Sequence, residues 1–129
     1  MNKTIVMTAV AFGGSAVALG ALGAHGLKEQ LEPEALESFR TGVQYQMYHA
    51  LFLLFLGLEK TLDPRSRKRV FGLVVTGILC FSFSIYFLST AGLTGWDLSA
   101  IGWITPLGGV LLISGWGYLL YRIFRSKGR

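Results

Sequence analysis

Four long apolar stretches alternate with short charged segments along the chain. The hydrocarbon core of a bilayer is about 30 Å thick, so an α-helix needs about 20 largely apolar residues to cross it. Each stretch approaches that length, and charged residues concentrate at the ends of the stretches. The pattern predicts an all-α integral membrane protein: one membrane domain over residues 1–129, built as a four-helix bundle with antiparallel neighbours. The predicted spans are about 5–24, 42–58, 70–88 and 101–123.

The second stretch is the least apolar of the four. Its unbroken apolar run, Ala50 to Leu58, would rise only about 13 Å as a helix. The preceding residues must therefore also enter the membrane, which places Gln46 and His49 where polar side chains are costly and usually have a purpose. On a helical wheel these two share a face with Gly42. The pattern predicts that this polar face points into the bundle.

From this face we predict a polar cluster inside the membrane. The candidate members, each a possible ligand contact, are His49, Gln46, Tyr45, His25 and Ser84. We expect His49 to be neutral and hydrogen-bonded across helices with Gln46, Tyr45 or Ser84. Contact with a ligand, a lipid headgroup or a substrate is the alternative. A metal site formed by His25, His49 and Cys80 is conceivable, but no ligand spacing supports it. We predict no metal, no cofactor and no catalytic residue.

Small residues in the first stretch predict a close helix contact. Ala9 and Gly13 share one face, as do Ala16, Gly20 and Ala24. Small side chains at this spacing let helix backbones approach in a membrane. The positive start and the small residues near the end also fit a cleaved signal peptide. We favour a retained helix because the small-residue face extends over the whole stretch.

In the third and fourth stretches the sequence predicts two helix-packing faces and one irregularity at a proline. Pro106 lies one turn into the fourth stretch, so a kink or a late start is expected there. In the third stretch, a small and weakly polar face is predicted from Gly72, Thr76, Cys80 and Ser84. In the fourth stretch, a packing face is predicted from Thr105, Gly108, Leu112 and Gly115.

The first connection, residues 25–41, is acidic. Pro33 suits the first position of a helix, and nearby glutamates favour its positive end. Leu36, Phe39 and Val43 continue a helical apolar stripe. We predict a partly amphipathic segment at the outer surface that runs into the second span. A solvated acidic loop is the alternative.

Composition and charge agree with a membrane location. Hydrophobic residues make up 52% of the chain and charged residues 15%, below the quarter or so of soluble domains. The net charge of +5 does not indicate nucleic-acid binding, because the basic residues sit at helix ends. Ten Lys and Arg lie in the N-terminus, second connection and C-terminus, against two in the other connections. The positive-inside rule predicts that both termini lie in the cytoplasm.

A basic cluster ends the second connection. Anionic lipid attracts such clusters beside a membrane. The cluster first indicates membrane orientation, and it also predicts contact with anionic lipid for Arg65, Arg67, Lys68 and Arg69.

The sequence contains no motif for a known catalytic chemistry. It lacks a nucleotide-binding loop, HExxH, GxSxG and paired carboxylates within a span. We predict a protein that is not an enzyme and that is structural, lipid-interacting or partner-binding. Its expected partners are the bilayer, anionic lipid, and a second copy or another membrane protein. The alternative is a small transporter or channel acting as an oligomer.

Three segments resemble a known family. GALGAHGLK (20–28), TGVQYQMYHAL (41–51) and GWITPLGG (102–109) are similar to the YgdD-like family of small bacterial membrane proteins, domain of unknown function 423, and the pair GW (115–116) adds to the resemblance. The resemblance implies four helices in the inner membrane without an established activity, and it supplies no catalytic residue. The family motifs include His25, Gln46, His49, Pro106 and Gly109. The basic RSRKR segment lies outside them.

Overall fold

A computed structural model describes residues 1–126, and within that range the secondary structure is helical, without strands. Lys127 and Arg129, part of the basic count above, lie outside the described residues. Helices α3 and α4 are joined by a π-helical turn into one rod from Pro64 to Ser89. The elements are α1 (Lys3–His25), α2 (Pro33–Leu58), α3 (Pro64–Ile78), the π-helical turn (Leu79–Phe83), α4 (Ser84–Ser89), α5 (Ala91–Thr94), a 3₁₀ turn (Ser99–Ile101) and α6 (Ile104–Arg125).

Three of the described helical segments are long and apolar enough to cross a membrane: Lys3–His25, Pro64–Ser89 and Ser99–Arg125. The all-α prediction is confirmed, and three of the four predicted spans coincide with these segments. Helix α2 has 26 residues but is not among the three, because polar residues interrupt its first half. The fourth predicted span, which lies in α2, therefore stays a prediction.

Helices α1 and α2 pack side by side in opposite directions. The backbone N–H of Asn2 donates to the carbonyl oxygen of Gly57 at one end, and Gly23 faces the ring of Phe39 at the other. Helix α2 starts at Pro33, so the acidic segment and the second stretch form one continuous helix, as predicted.

The small-residue face of α1 is confirmed with one correction. Ala9, Ala16 and Gly23 are buried, but Ala24 is exposed. Residues four apart advance about 40° beyond a full turn. Two such steps from Ala16 therefore turn Ala24 away from α2, whereas Gly23 stays on the face of α1 that contacts α2.

The rod formed by α3 and α4 packs against α6. Gly108, Leu112 and Gly115 of α6 are buried against it, as predicted, and Pro106 lies in the first turn of α6, which is the late start expected. The predicted face of the third stretch is wrong at Gly72 and Thr76, which are exposed. The buried face there runs instead through Val70, Val74, Gly77 and Ile78.

Two apolar cores lie one above the other. The larger contains Phe52, Leu53 and Leu56 of α2, together with buried residues of α1, α3 and α6. The smaller contains Leu27, Leu36 and Phe39. The larger core adjoins the basic end of the bundle, where Asn2, Leu58, Pro64 and Arg125 terminate their helices. The smaller adjoins the opposite, acidic end.

Candidate functional site

Four buried polar side chains form a layer across the bundle between the two cores. We call them the polar layer: Gln46 and His49 of α2, Ser82 of the π-helical turn, and Ser84 of α4. Their exposed fractions range from 0 to 5%. Water cannot serve as a partner at such depth, so each group needs a hydrogen bond within the protein.

The side-chain amide of Gln46 joins three helices. Its nitrogen donates to the carbonyl oxygen of Phe12 at 2.9 Å and to the hydroxyl of Ser15 at 2.8 Å, both in α1. Its oxygen accepts from the hydroxyl of Tyr86 in α4 at 2.6 Å. An amide nitrogen carries two hydrogens, so both donors are used. Gln46 therefore holds α1, α2 and α4 at one relative depth.

The imidazole of His49 links α2 to α6. Its Nδ1 lies 2.7 Å from the carbonyl oxygen of Tyr45, and its Nε2 lies 3.0 Å from the indole Nε1 of Trp116. A carbonyl can only accept and an indole N–H can only donate. The ring is thus neutral, with its hydrogen on Nδ1 and its Nε2 accepting. Both nitrogens are occupied by protein groups.

The two serines complete the polar layer. The hydroxyl of Ser82 donates to the carbonyl oxygen of Gly42 at 2.7 Å and so joins the π-helical turn to α2. The hydroxyl of Ser84 lies 2.6 Å from that of Thr105 and joins α4 to α6. It also contacts the carbonyl oxygens of Cys80 and Phe81. Together these contacts link α2 to α1, to the rod formed by α3 and α4, and to α6, and they link that rod to α6.

The structure unites some of the predicted cluster residues and separates others. Gln46, His49 and Ser84 share the polar layer, but His49 pairs with Trp116 instead of Gln46 or Ser84. Tyr45 contributes its backbone carbonyl, and its ring is 40% exposed. His25 is exposed at the end of α1, about 15 Å along the helix from Ser15.

Four partners in these contacts were not predicted: Ser15, Tyr86, Thr105 and Trp116. Trp116 gave a usable signal, because an indole N–H in mid-span needs an acceptor. The hydroxyls of Ser15 and Thr105 gave none, because serine and threonine hydroxyls in a helix can bond to their own backbone. The Tyr86 hydroxyl cannot reach its own backbone and needs a partner when buried, so it gave the same signal as the indole.

Within residues 1–126 no three His, Cys, Asp or Glu side chains come together as metal ligands. Cys80 is half-buried with a free thiol. The structure therefore does not bring together the metal site considered for His25, His49 and Cys80, because His25 and His49 lie at different levels of the bundle.

A groove at the acidic end approaches the polar layer from outside. It lies between the start of α2 and the end of α4, with Glu32 and Glu34 at its rim and Ile85 and Leu88 on its wall. Thr105 also lines it and is hydrogen-bonded to Ser84. The groove connects the bundle surface with the edge of the polar layer.

The four basic residues of the predicted lipid cluster lie in the first turns of α3 and differ in their surroundings. The guanidinium of Arg67 pairs with the carboxylate of Glu59 at 2.7 Å and is largely covered. Arg69 donates to the hydroxyl of Tyr118 at 3.1 Å. Arg65 and Lys68 are exposed and form no ion pair within residues 1–126.

Two carboxylates hold the connection between α2 and α3 in place. Burial opposes ionisation of Glu59, but hydrogen bonds from Arg67, Leu62 and Thr61 outweigh it and lower its pKa. Hydrogen bonds from Ser66, followed by the Arg122 guanidinium, lower the pKa of Asp63 to about 2. Both carboxylates are thus ionised near neutral pH, where they offset the charges of Arg67 and Arg122.

Comparison with known proteins identifies the family. The family model described as "Protein of unknown function (DUF423)" matches residues 19–109, which include the whole polar layer. The chain belongs to the DUF423 family. The predicted resemblance is therefore confirmed.

Relatives of this DUF423 protein are named as membrane proteins. A UPF0382 membrane protein of Haemophilus influenzae is 39% identical over 126 residues, 98% of this chain and 97% of that protein. UPF0382 membrane protein YwdK of Bacillus subtilis is 43% identical over 103 residues, 78% of this chain and 80% of that protein. No solved structure matches. With its three apolar helices, this DUF423 chain is a small multi-helix membrane protein, and the family description assigns it no activity.

Proposed function

We propose that the protein is a non-enzymatic, lipid-interacting structural protein of the bacterial inner membrane, with four spanning helices and both termini in the cytoplasm. The observation that carries this function is the saturation of the polar layer. The amide of Gln46 uses both donors and its oxygen, and both nitrogens of His49 are engaged. Catalytic and ligand-binding sites present polar groups towards a ligand, whereas these groups are all bonded to other groups of the protein.

The pairing of α1 with α2 supports a fourth span. Contacts between the two helices extend from Asn2 against Gly57 to Gly23 against Phe39. When α1 crosses the bilayer, residues 39–57 of α2 occupy the same depths. This segment is about 27 Å long, close to the thickness of the hydrocarbon core. Its polar groups are tolerated because they face the interior.

The charge distribution supports the orientation. The structure places Asn2, the connection around Asp63, and Arg122 at one end of the bundle, where Arg122 pairs with Asp63 at 3.2 Å. Eight of the ten Lys and Arg among residues 1–126 belong to the segments at this end. The positive-inside rule assigns it to the cytoplasm.

Reporter fusions test four spans against three. A phosphatase that is active only in the periplasm should be silent when fused after Arg129 or Leu62 and active when inserted at Gly95. A protein in which α2 does not cross would place its two termini on opposite sides. High activity of the Arg129 fusion, with a cytoplasmic N-terminus, would therefore overturn the four-span proposal.

His49→Leu tests whether the polar layer is structural. The change keeps apolar bulk and removes one hydrogen bond between helices, which is worth about 0.6 kcal/mol on average and up to about 1.7. We expect a loss in unfolding free energy of about 1 kcal/mol in detergent and full complementation of a deletion strain. Trp116→Phe, which removes the indole N–H of the same contact together with part of the ring that packs on Phe52, should destabilise the protein at least as much. A fully stable His49→Leu protein that fails to complement would assign His49 to a functional site instead.

Transport by an oligomer is the second candidate. The groove at the acidic end favours it, because Thr105 leads from that groove to Ser84 in the polar layer. Four short helices leave little room for a pore within one chain, so a path would need several copies. Ion conductance or solute-driven swelling of proteoliposomes above protein-free vesicles would support transport over the structural proposal.

A further inference from the structure

We propose that a groove between α3 and α6 at the basic end binds one anionic phospholipid, with its phosphate at Arg65, Lys68 and Arg69 and an acyl chain along Gly72 and Thr76. The inference deepens the proposed lipid-interacting function and rests on its orientation of the bundle. Instead of a general attraction between the basic cluster and anionic lipid, it specifies one binding site and one class of lipid.

The groove has an apolar body. Gly72, Leu73 and Thr76 of α3 form one wall, and Leu111 and Tyr118 of α6 form the other. From Arg69 to Thr76 it extends about 10 Å along the helix, or about two thirds of the hydrocarbon depth of one leaflet. Gly72 and Thr76 are exposed because the buried face of α3 runs through Val70 and Val74.

The absence of a side chain at Gly72 keeps the groove open. A β-carbon built there meets no atom within 4 Å. Gly72 thus differs from Gly77 and Gly108, where a β-carbon would collide with α6 or the π-helical turn. A glycine that no neighbouring helix requires leaves a recess the width of a side chain, and a lipid chain in contact with α3 fills it.

The mouth of the groove is basic. Arg65, Lys68 and Arg69 lie three and four residues apart and share one face of α3. Arg69 lines both the apolar groove and the adjoining recess formed with Pro64, Arg65 and Lys68. Its guanidinium is held by the Tyr118 hydroxyl. A planar guanidinium with donors remaining is well suited to phosphate oxygens.

The nearby carboxylates leave this face positive. Glu59 is paired with Arg67 and Asp63 with Arg122, so each of these carboxylates is offset by a guanidinium that does not line the groove. Arg67 therefore belongs to the fold, and we remove it from the predicted lipid contacts. A basic mouth above an apolar channel complements an anionic headgroup joined to an acyl chain. A free anion or a nucleic acid would use the mouth alone.

Native mass spectrometry of the full chain in detergent tests the site, with dioleoylphosphatidylglycerol and dioleoylphosphatidylcholine as probes. We expect phosphatidylglycerol to bind at least tenfold more tightly, with one lipid bound first. Replacement of all three basic residues (Arg65→Gln, Lys68→Gln, Arg69→Gln) should weaken that binding about 100-fold, at about fivefold for each charge. The matched control removes three exposed charges elsewhere: Lys28→Gln, Arg40→Gln and Lys60→Gln.

Gly72→Leu tests the acyl-chain channel separately. The substitution fills the groove without a clash, so the protein should stay folded and lose affinity for both lipids. Gly117→Leu, at an equally open position of α6, should leave binding unchanged. Equal phosphatidylglycerol binding by the triple variant and its control, or full binding by Gly72→Leu, would overturn the proposed site and leave the lipid-interacting function standing. A wild-type protein that binds neither lipid would overturn both.

Discussion

Gly108→Ala should lower the free energy of unfolding by about 2–3 kcal/mol, the upper part of the range for overpacking a core. The added β-carbon would overlap backbone atoms of Phe81 and Cys80 in the π-helical turn. Backbone cannot rotate away as a flexible side chain can, so α6 and the turn must move apart. That movement would also stretch the contact between Ser84 and Thr105.

Two neighbouring glycines provide matched controls. A β-carbon at Gly109 would lie at an ordinary 3.7 Å from the ring of Phe81, and one at Gly117 would meet nothing within 4 Å. Alanine favours a helix over glycine by up to about 1 kcal/mol, so these two changes should be neutral or stabilising. Unfolding in detergent, followed by circular dichroism against denaturant, measures all three. Equal stability of Gly108→Ala and Gly117→Ala would mean that α6 does not approach the π-helical turn as described.

Gln46→Glu should destabilise the protein by about 3 kcal/mol at neutral pH, the cost of a charge in mid-membrane. Gln46 has no exposed surface, and its nitrogen serves two acceptors in α1. A carboxylate of the same shape offers no donor and directs negative charge at the carbonyl oxygen of Phe12. Only the bond from the Tyr86 hydroxyl would survive.

Two comparisons separate charge from lost hydrogen bonds. Gln46→Leu also removes the hydrogen bonds but introduces no charge, so we expect about 2 kcal/mol from three contacts between helices. Gln44→Glu makes the same chemical change two residues away, on an exposed position of α2, and should cost less than either. Thermal unfolding in one detergent ranks the three variants. If Gln46→Glu and Gln44→Glu lose the same stability, residue 46 does not face α1.

The polar layer gives the bundle a defined register. Between membrane helices, lipid is as apolar as leucine, so burial of apolar surface does not fix how far one helix slides along another. Hydrogen bonds with few alternative partners do fix it. Gln46 sets α1 and α4 against α2, and His49 sets α6 against α2 through Trp116. The proposed structural function and the proposed phospholipid site both place lipid contact on the surface of this hydrogen-bonded core.

Helix positions and the outline of the site could be predicted from the sequence. Pro33 marks a helix start, and the buried face through Gly42, Gln46 and His49 follows the helical wheel. These features depend on residues within a few turns of one another. Gly72 and Thr76 were assigned to the wrong side because a spacing of four residues drifts by about 40° per step, or about 120° over the three steps from Gly72 to Ser84. The π-helical turn also adds a residue within the rod. One added residue rotates the two halves by about 100° relative to each other, so spacing cannot be carried across it.

The sequence by itself determined an all-helical membrane protein with polar groups at depth, because length, hydropathy and period are local properties of the chain. Only the tertiary structure decided which groups meet. Gln46 bonds to Ser15, 31 residues earlier, and His49 to Trp116, 67 residues later. Likewise, Glu59 withdraws Arg67 from the basic cluster, while Arg69 turns to Tyr118. Such pairings depend on the rotation and depth of each helix against its neighbours, which close packing at Gly57, Gly77 and Gly108 sets and no single stretch of sequence records.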